Sequence, residues 1–416
     1  MVSIREVLFL NSNALLMPKK LVLTCLFNFL IAALMGLTLR YTFVSSVSFN
    51  YRFLTHAHSH VAMLGWVYLM LYTFFAHYFI PDIKSIYIKL FWLTQIAVMG
   101  MMISFPFQGY TAISISFSTL HIFCSYYFAY RFWKDMHIQN ILIRQLVKAS
   151  LLFMAISTLG VWCLGPAVSI LGPASAFYQI AIQFFLNFQF NGWFLLAVLA
   201  IMFYQLKIQP SKDSQLFFKF LIVSTVLTFA LPIQWFANHP LLYWINGVGI
   251  LLQLVSLYYF LRMVKLPFRI FQKQSLPVIK RMYYFALFCF ILKTTLQTLS
   301  IIPQLASELY EHHNLIIGFI HLAMLGVISG FLFAFLLQSK TIMPTALVSA
   351  ALYLFLLGFI FTEALLFIQG AFYYFNLGIM PNYYILLFSA SILLPLSIAI
   401  ILMSYINQKH YGIQTP

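Results

Sequence analysis

Charge is scarce in this chain. Only 7% of its 416 residues are Asp, Glu, Lys or Arg, and the carboxylates number just 7, where a soluble domain carries roughly a quarter charged residues. A water-soluble body of this length could not clothe its surface with so few. Cysteine is equally thin: Cys25, Cys124, Cys163 and Cys289 lie far apart, each inside an apolar run. That spacing supplies no disulfide framework and reads as buried free thiols. No linker, low-complexity tract or charge-rich insertion divides the chain into units. A cleavable-looking leader is also missing, since residues 1–20 are short and mixed, so the first apolar run serves as its own insertion signal.

Hydrophobic residues fill what remains, at 63% of the chain. Apolar runs of about twenty residues recur along its whole length, enough for each to cross a hydrocarbon core as a helix. Barrel-like alternation is absent, and helices satisfy their own backbone groups in lipid. The expected fold is an all-α integral membrane protein of one polytopic domain over 1–416. Its twelve spans are placed at about 21–43, 54–79, 87–107, 110–130, 146–166, 177–206, 216–236, 241–262, 282–302, 313–338, 344–369 and 383–406. The basic loop at about 263–281 reads as a hinge between eight helices and four.

The net charge of +16 brings no nucleic-acid stripe or motif with it. With both termini on the cytoplasmic side, 20 of the 23 Lys and Arg residues fall on inner segments, Arg40 and Arg52 fall outside, and Lys293 sits within a span. The positive-inside rule thus supports the count and a multi-pass position in a cytoplasmic membrane, with the lipid bilayer as partner.

Histidine gives the first chemical signal. His60-Val-Ala-Met-Leu-Gly65 returns as His321-Leu-Ala-Met-Leu-Gly326, and both copies open spans that run from outside to inside. Small residues in the motif let a neighbouring helix or a flat ligand approach. Seven of the eleven histidines (His56, His58, His60, His239, His312, His313 and His321) fall near outer span ends. His121 is mid-span, and His77, His137 and His410 are inner. Imidazole is the commonest metal ligand, which makes His56, His58, His60, His312, His313 and His321 the candidate metal residues. His56 and His60 share a helix face at i, i+4, while His58 points elsewhere.

On these residues the chain resembles the haem–copper oxidase superfamily, the catalytic subunits of cytochrome oxidases and nitric oxide reductases, together with related haem- and copper-containing membrane proteins of the nitric oxide response. The resemblance rests on the helix count and two histidine-bearing helices, Thr55-His-Ala-His-Ser-His60-Val-Ala-Met-Leu-Gly-Trp66 and Gly318-Phe-Ile-His321-Leu-Ala-Met-Leu-Gly326. It implies a haem held by an axial pair from the second and tenth spans, His60 with His321, and His58 as the alternative on span two. Arg40 and Arg52 are then candidate partners for the haem propionates. The departures are in the copper ligands. Span six carries Gln179, Gln183, Asn187 and Asn191 where the family has histidines, and His239-Pro240 stands at span eight without the family's glutamate. The expectation is a haem protein of electron transfer, respiration or nitric oxide handling, without a complete copper–haem centre, taking electrons from a donor protein or a quinol.

Residues Gln179, Gln183, Asn187 and Asn191 recur every four positions and form a polar stripe. Lys293 is the deeply placed cation and Glu363 the carboxylate well inside a span. Both require partners or a wet cavity, and one option is each other. These six residues also suit a different function, a transporter or metal-handling permease that captures a cation on the outer histidines and passes it along a polar route.

Overall fold

The computed structural model describes residues 17–408, which form helices and, among the described residues, no strand. Twelve helices are long and apolar enough to span a membrane. They are α1 (Lys19–Tyr41), α2 (Tyr51–Phe79), α3 (Ser85–Gln108), α4 (Ala112–Asp135), α5 (Ile141–Ile170), α6 (Ala176–Gln205), α7 (Lys212–Gln234), α8 (Pro240–Gln274), α9 (Pro277–Ile301), α10 (His313–Gln338), α11 (Ala346–Tyr374) and α12 (Tyr383–Asn407). Polar side chains start several of them. Asn50 Oδ1 accepts from Phe53 N, Asn140 from Leu142 N and Ile143 N, Ser175 from Tyr178 N and Thr345 from Val348 N. Each satisfies backbone donors that a helix start leaves unpaired.

The twelve expected spans are all present, with the largest departure at the expected hinge. α8 continues to Gln274, so most of residues 263–281 is helix. Buried Val264 and Phe268 hold this extension, the latter edge-on to Tyr283 at 6.0 Å and Tyr284 at 5.4 Å. Arg5, Lys409 and His410, assigned to the inner side, lie outside the described residues.

Three helices make the centre. α2, α6 and α10 bury 83%, 67% and 61% of their most apolar stretch, and no other span exceeds 44%. Being even-numbered, all three run in the same direction, and each passes into a π-helical segment: Val61–Tyr68, Phe188–Phe194 and Leu322–Ser329. The segments begin one residue after His60, Asn187 and His321, and each of those residues stands five before a glycine. The two-copy motif therefore has a third, degenerate member, Asn187-Phe-Gln-Phe-Asn-Gly192-Trp193, and the bundle has an internal three-fold repeat.

The glycines explain the closeness of the centre. A Cβ on Gly65 would stand 2.9 Å from Val98 and 3.0 Å from Asn28, one on Gly192 2.6 Å from Phe153, and one on Gly326 2.9 Å from Cys289 and Phe359. In each case a helix preceding the central one sits against the glycine, α1, α5 or α9 respectively. Asn28 also donates to the Gly65 carbonyl at 2.9 Å and exchanges amide hydrogen bonds with Gln95 at 2.8 and 3.1 Å. That satisfies a carbonyl within the π-helical segment, where lipid offers no partner. Trp66 Nε1 donates to Ser329 Oγ at 2.9 Å and ties α2 to α10.

The central helices are tight at one end and open at the other. Toward the end that carries most of the basic residues, nearly every residue of 61–79, 192–203 and 322–337 is buried. Tyr78, Gln205, Tyr283 and Gln338 close that end with a hydrogen-bond network, the Tyr283 hydroxyl lying within hydrogen-bond range of both glutamines and Gln205 donating to Tyr78 at 3.0 Å. Toward the histidine end, Tyr51–His60 buries only Leu54 and Ala57, Ala176–Asn187 only Ala181, and His313–His321 none. The packing therefore loosens on the histidine side, around the three interhelical clefts that flank α2, α6 and α10.

Substituting Gly326→Ala is expected to lower unfolding stability by about 1–3 kcal/mol through overpacking. Gly165→Ala, where nothing lies within 4 Å, is expected to be neutral or slightly stabilising. Thermal unfolding of the two variants in the same detergent checks the difference.

Candidate functional site

A helix turns by about 100° per residue, so His58 and His60 leave α2 on nearly opposite sides. That places them in different clefts. His60 lies beside Phe105 of α3 with ring centroids 4.5 Å apart, and its Nδ1 is 2.8 Å from the His56 carbonyl. His56 meets Tyr110 edge-on at 4.7 Å, and the neighbouring electrostatic contacts of this group are Arg52 and His121. Tyr110 lies in the loop between α3 and α4 and is exposed. Deeper in the same cleft His121 packs on Tyr68 at 4.7 Å and contacts Ser125 Oγ at 3.3 Å.

His58 faces the other way, toward α1. Its Nδ1 is 2.8 Å from the Ala32 carbonyl. A carbonyl can only accept, so Nδ1 carries the proton and the Nε2 lone pair is left for a ligand. The ring lies against Gly36, where a Cβ would come within 2.9 Å of its Cε1. His58 is an electrostatic neighbour of His321, and Arg40 is a neighbour of both. On α10, His321 turns Nδ1 toward Glu363 Oε1 of α11 at 3.6 Å, beyond a good hydrogen bond but within ion-pair range. Glu363 Oε2 lies 3.4 Å from the Cβ position of Gly318, so small residues line both walls. Arg40 also has Glu363, Tyr51 and Tyr383 in electrostatic range. This first compartment, among α1, α2, α10, α11 and α12, brings together two imidazoles, a guanidinium and a carboxylate.

His58, the alternative on span two, is the α2 histidine that shares a cleft with His321, and His60 belongs to the cleft of α3 and α4. Arg52 neighbours His56 and Tyr110 in the second cleft, whereas Arg40 neighbours His58 and His321. Glu363 and Lys293 do not pair, because Glu363 faces His321 while Lys293 donates to Gln297 Oε1 at 3.1 Å.

Among the remaining sequence candidates, His312 pairs with Glu308 at 2.9 Å and stacks on Tyr373 at 5.7 Å, at the lip of the short helix Pro303–Glu311. His313 is exposed. No group of three or more His, Cys, Asp or Glu side chains among the described residues is arranged to hold a metal ion. His239 caps α8, its Nδ1 accepting from Leu241 N at 3.2 Å, which is a structural role. The polar stripe of α6 divides by depth. Gln179 donates to the Pro173 carbonyl at 2.9 Å near the helix start, while Asn191 donates to Asn187 at 3.0 Å and Asn187 reaches the Thr225 carbonyl of α7 at 3.5 Å. Gln183 sits between them, half-buried. Asn187 holds in the third cleft, among α6–α10, the repeat position that His60 and His321 hold in theirs.

The three-fold repeat shows why one cleft differs. The residue seven positions before each central glycine is His58, Phe185 or Phe319, and only His58 faces another repeat histidine across its cleft. Sequence reasoning missed Gly36, Tyr383 and the Ala32 carbonyl, which carry no motif of their own. No protein-family model matches this chain, and no curated protein is significantly similar to it.

The looser packing at the histidine end predicts that, in a Cys163→Ser background, Asn187→Cys reacts with a small charged methanethiosulfonate. Leu199→Cys, fully buried one helical stretch further on, should stay unmodified under the same conditions. Mass spectrometry of the intact chain reads both.

Proposed function

We propose that the chain is a haem-binding electron-transfer protein of a cytoplasmic membrane, with His58 and His321 as axial ligands. The observation that carries this reading is the pairing of two imidazoles, from different central helices, in one small-residue-lined cleft. Each has its Nδ1 directed at an oxygen, the Ala32 carbonyl or the Glu363 carboxylate, leaving Nε2 for iron. Arg40 is placed to bind a propionate bidentately. A haem so held supplies one-electron redox chemistry, with axial ligation and pocket polarity setting its potential. The chain's own residues fix the imidazole tautomers, close the basic end against leakage and leave the histidine end open to a donor protein or quinol. Respiration and nitric oxide handling are the processes such a carrier serves.

Oxygen reduction by a copper–haem pair is outside this proposal, since the third cleft offers Asn187, Gln253, Gln297 and Lys293 where copper requires imidazoles. The permease reading would call for broken helices in two inverted halves. Support for it is weaker, because the repeat is three-fold and its central helices are parallel.

Absorbance spectra of the purified protein test the proposal. Oxidised and dithionite-reduced samples are expected to show a Soret band and sharp reduced α and β bands. His58→Ala and His321→Ala should each abolish the low-spin spectrum, whereas His60→Ala should leave it intact. A colourless folded protein from haem-replete cells overturns the reading. Arg40→Leu should lower the midpoint potential, because removing a nearby cation favours the more positive ferric state; redox titration measures the shift.

A further inference from the structure

The third cleft contains a buried cation that the haem reading leaves unused. Lys293 is 3% exposed, in the middle of α9. An ammonium so placed is costly without a counter-charge, and the chain has few to offer. Of the six described carboxylates, Asp135 pairs with Lys84 and Arg131, Asp213 with Arg262, Glu308 with His312, and Glu363 with His321. Asp82 and Glu311 are exposed beyond the span ends. None faces Lys293.

The neighbours of Lys293 are amides and one aromatic ring. Gln297 Oε1 accepts from Lys293 Nζ at 3.1 Å and from Gln253 Nε2 of α8 at 3.0 Å. This double acceptance fixes the orientation of both amides, since flipping either would set like groups against each other. It leaves further ammonium hydrogens and the Gln297 NH2 as donors. The Gln253 Oε1 is buried without a partner. Phe319 of α10 lies 5.4 Å from Nζ at its ring centroid and forms a flat apolar wall. Toward the histidine side the flanking stretches Ala176–Asn187, apart from Ala181, and His313–His321 are not buried.

We propose that this cleft is a binding site for a small planar oxyanion, a carboxylate or an inorganic ion of the same shape. The Lys293 ammonium, held over the Phe319 ring, and the Gln297 amide donate to its oxygens, and Gln253 Oε1 accepts from a bound water or a ligand hydroxyl. The anion supplies the counter-charge that the chain withholds.

The test uses the full chain in lipid nanodiscs and equilibrium binding of radiolabelled formate, with unlabelled nitrite as competitor and ionic strength held constant. This readout does not depend on haem. Saturable formate binding is expected, weakened about tenfold or more in Lys293→Met and in Gln297→Leu, with Lys293→Arg close to the unmutated chain. Competition by nitrite identifies a general planar-oxyanion site, and its failure identifies a carboxylate site. Absence of saturable formate binding, or equal affinity in Lys293→Met, overturns the proposal. Gln297→Leu removes no charge and keeps the test decisive if Lys293→Met fails to fold.

Discussion

Close approach at three glycines shapes the rest of this bundle. Where α1, α5 and α9 press onto Gly65, Gly192 and Gly326, the central helices have no room for a Cβ, and dispersion contacts replace the hydrophobic drive that lipid removes between helices. The π-helical turns fall at these same positions, and buried polar groups such as Asn28 and Ser329 provide partners along them. Toward the basic end the helices continue in contact and seal. Toward the histidine end, no residue of His313–His321 is buried and the packing loosens. One packing constraint therefore separates a tightly packed half from a looser one.

The same repeat with different residues produces three unlike clefts. His58 and His321 face each other in the first, His56, His60 and His121 occupy the second, and amides with Lys293 occupy the third. The helical rotation between His58 and His60 decides which cleft each imidazole serves. Partner groups then set each ring apart: a carbonyl on Nδ1 of His58 presets its tautomer, and the Glu363 carboxyl lies 3.6 Å from Nδ1 of His321. In a medium of low dielectric these contacts count for more than their equivalents in water.

Much of the architecture was legible in the chain. Twelve apolar runs and the sparse charge led to twelve helices, and the end of α8 departed because buried apolar residues spaced along one face, Val264 and Phe268, carry the helix beyond its continuous apolar run. The motif shared by His60 and His321 pointed to the central helices, yet its third copy was invisible, since Gly192 alone survives in it and Asn187 stands where the others have histidine. The choice between His58 and His60 depended on which neighbour each side chain meets, Gly36 on α1 or Phe105 on α3, and no local pattern encodes that. Likewise, sequence offered Lys293 and Glu363 as possible partners, while in the fold Glu363 faces His321 and Lys293 donates to Gln297.

One bis-imidazole cleft per chain is the central claim, and electron paramagnetic resonance of the oxidised protein, with haem quantified per chain, tests it most directly. A single low-spin ferric signal at one haem per chain, unchanged in His60→Ala and replaced by a high-spin or absent signal in His58→Ala, is the predicted result. A low-spin signal that survives His58→Ala and disappears in His60→Ala would contradict it and move the haem to the cleft of α3 and α4.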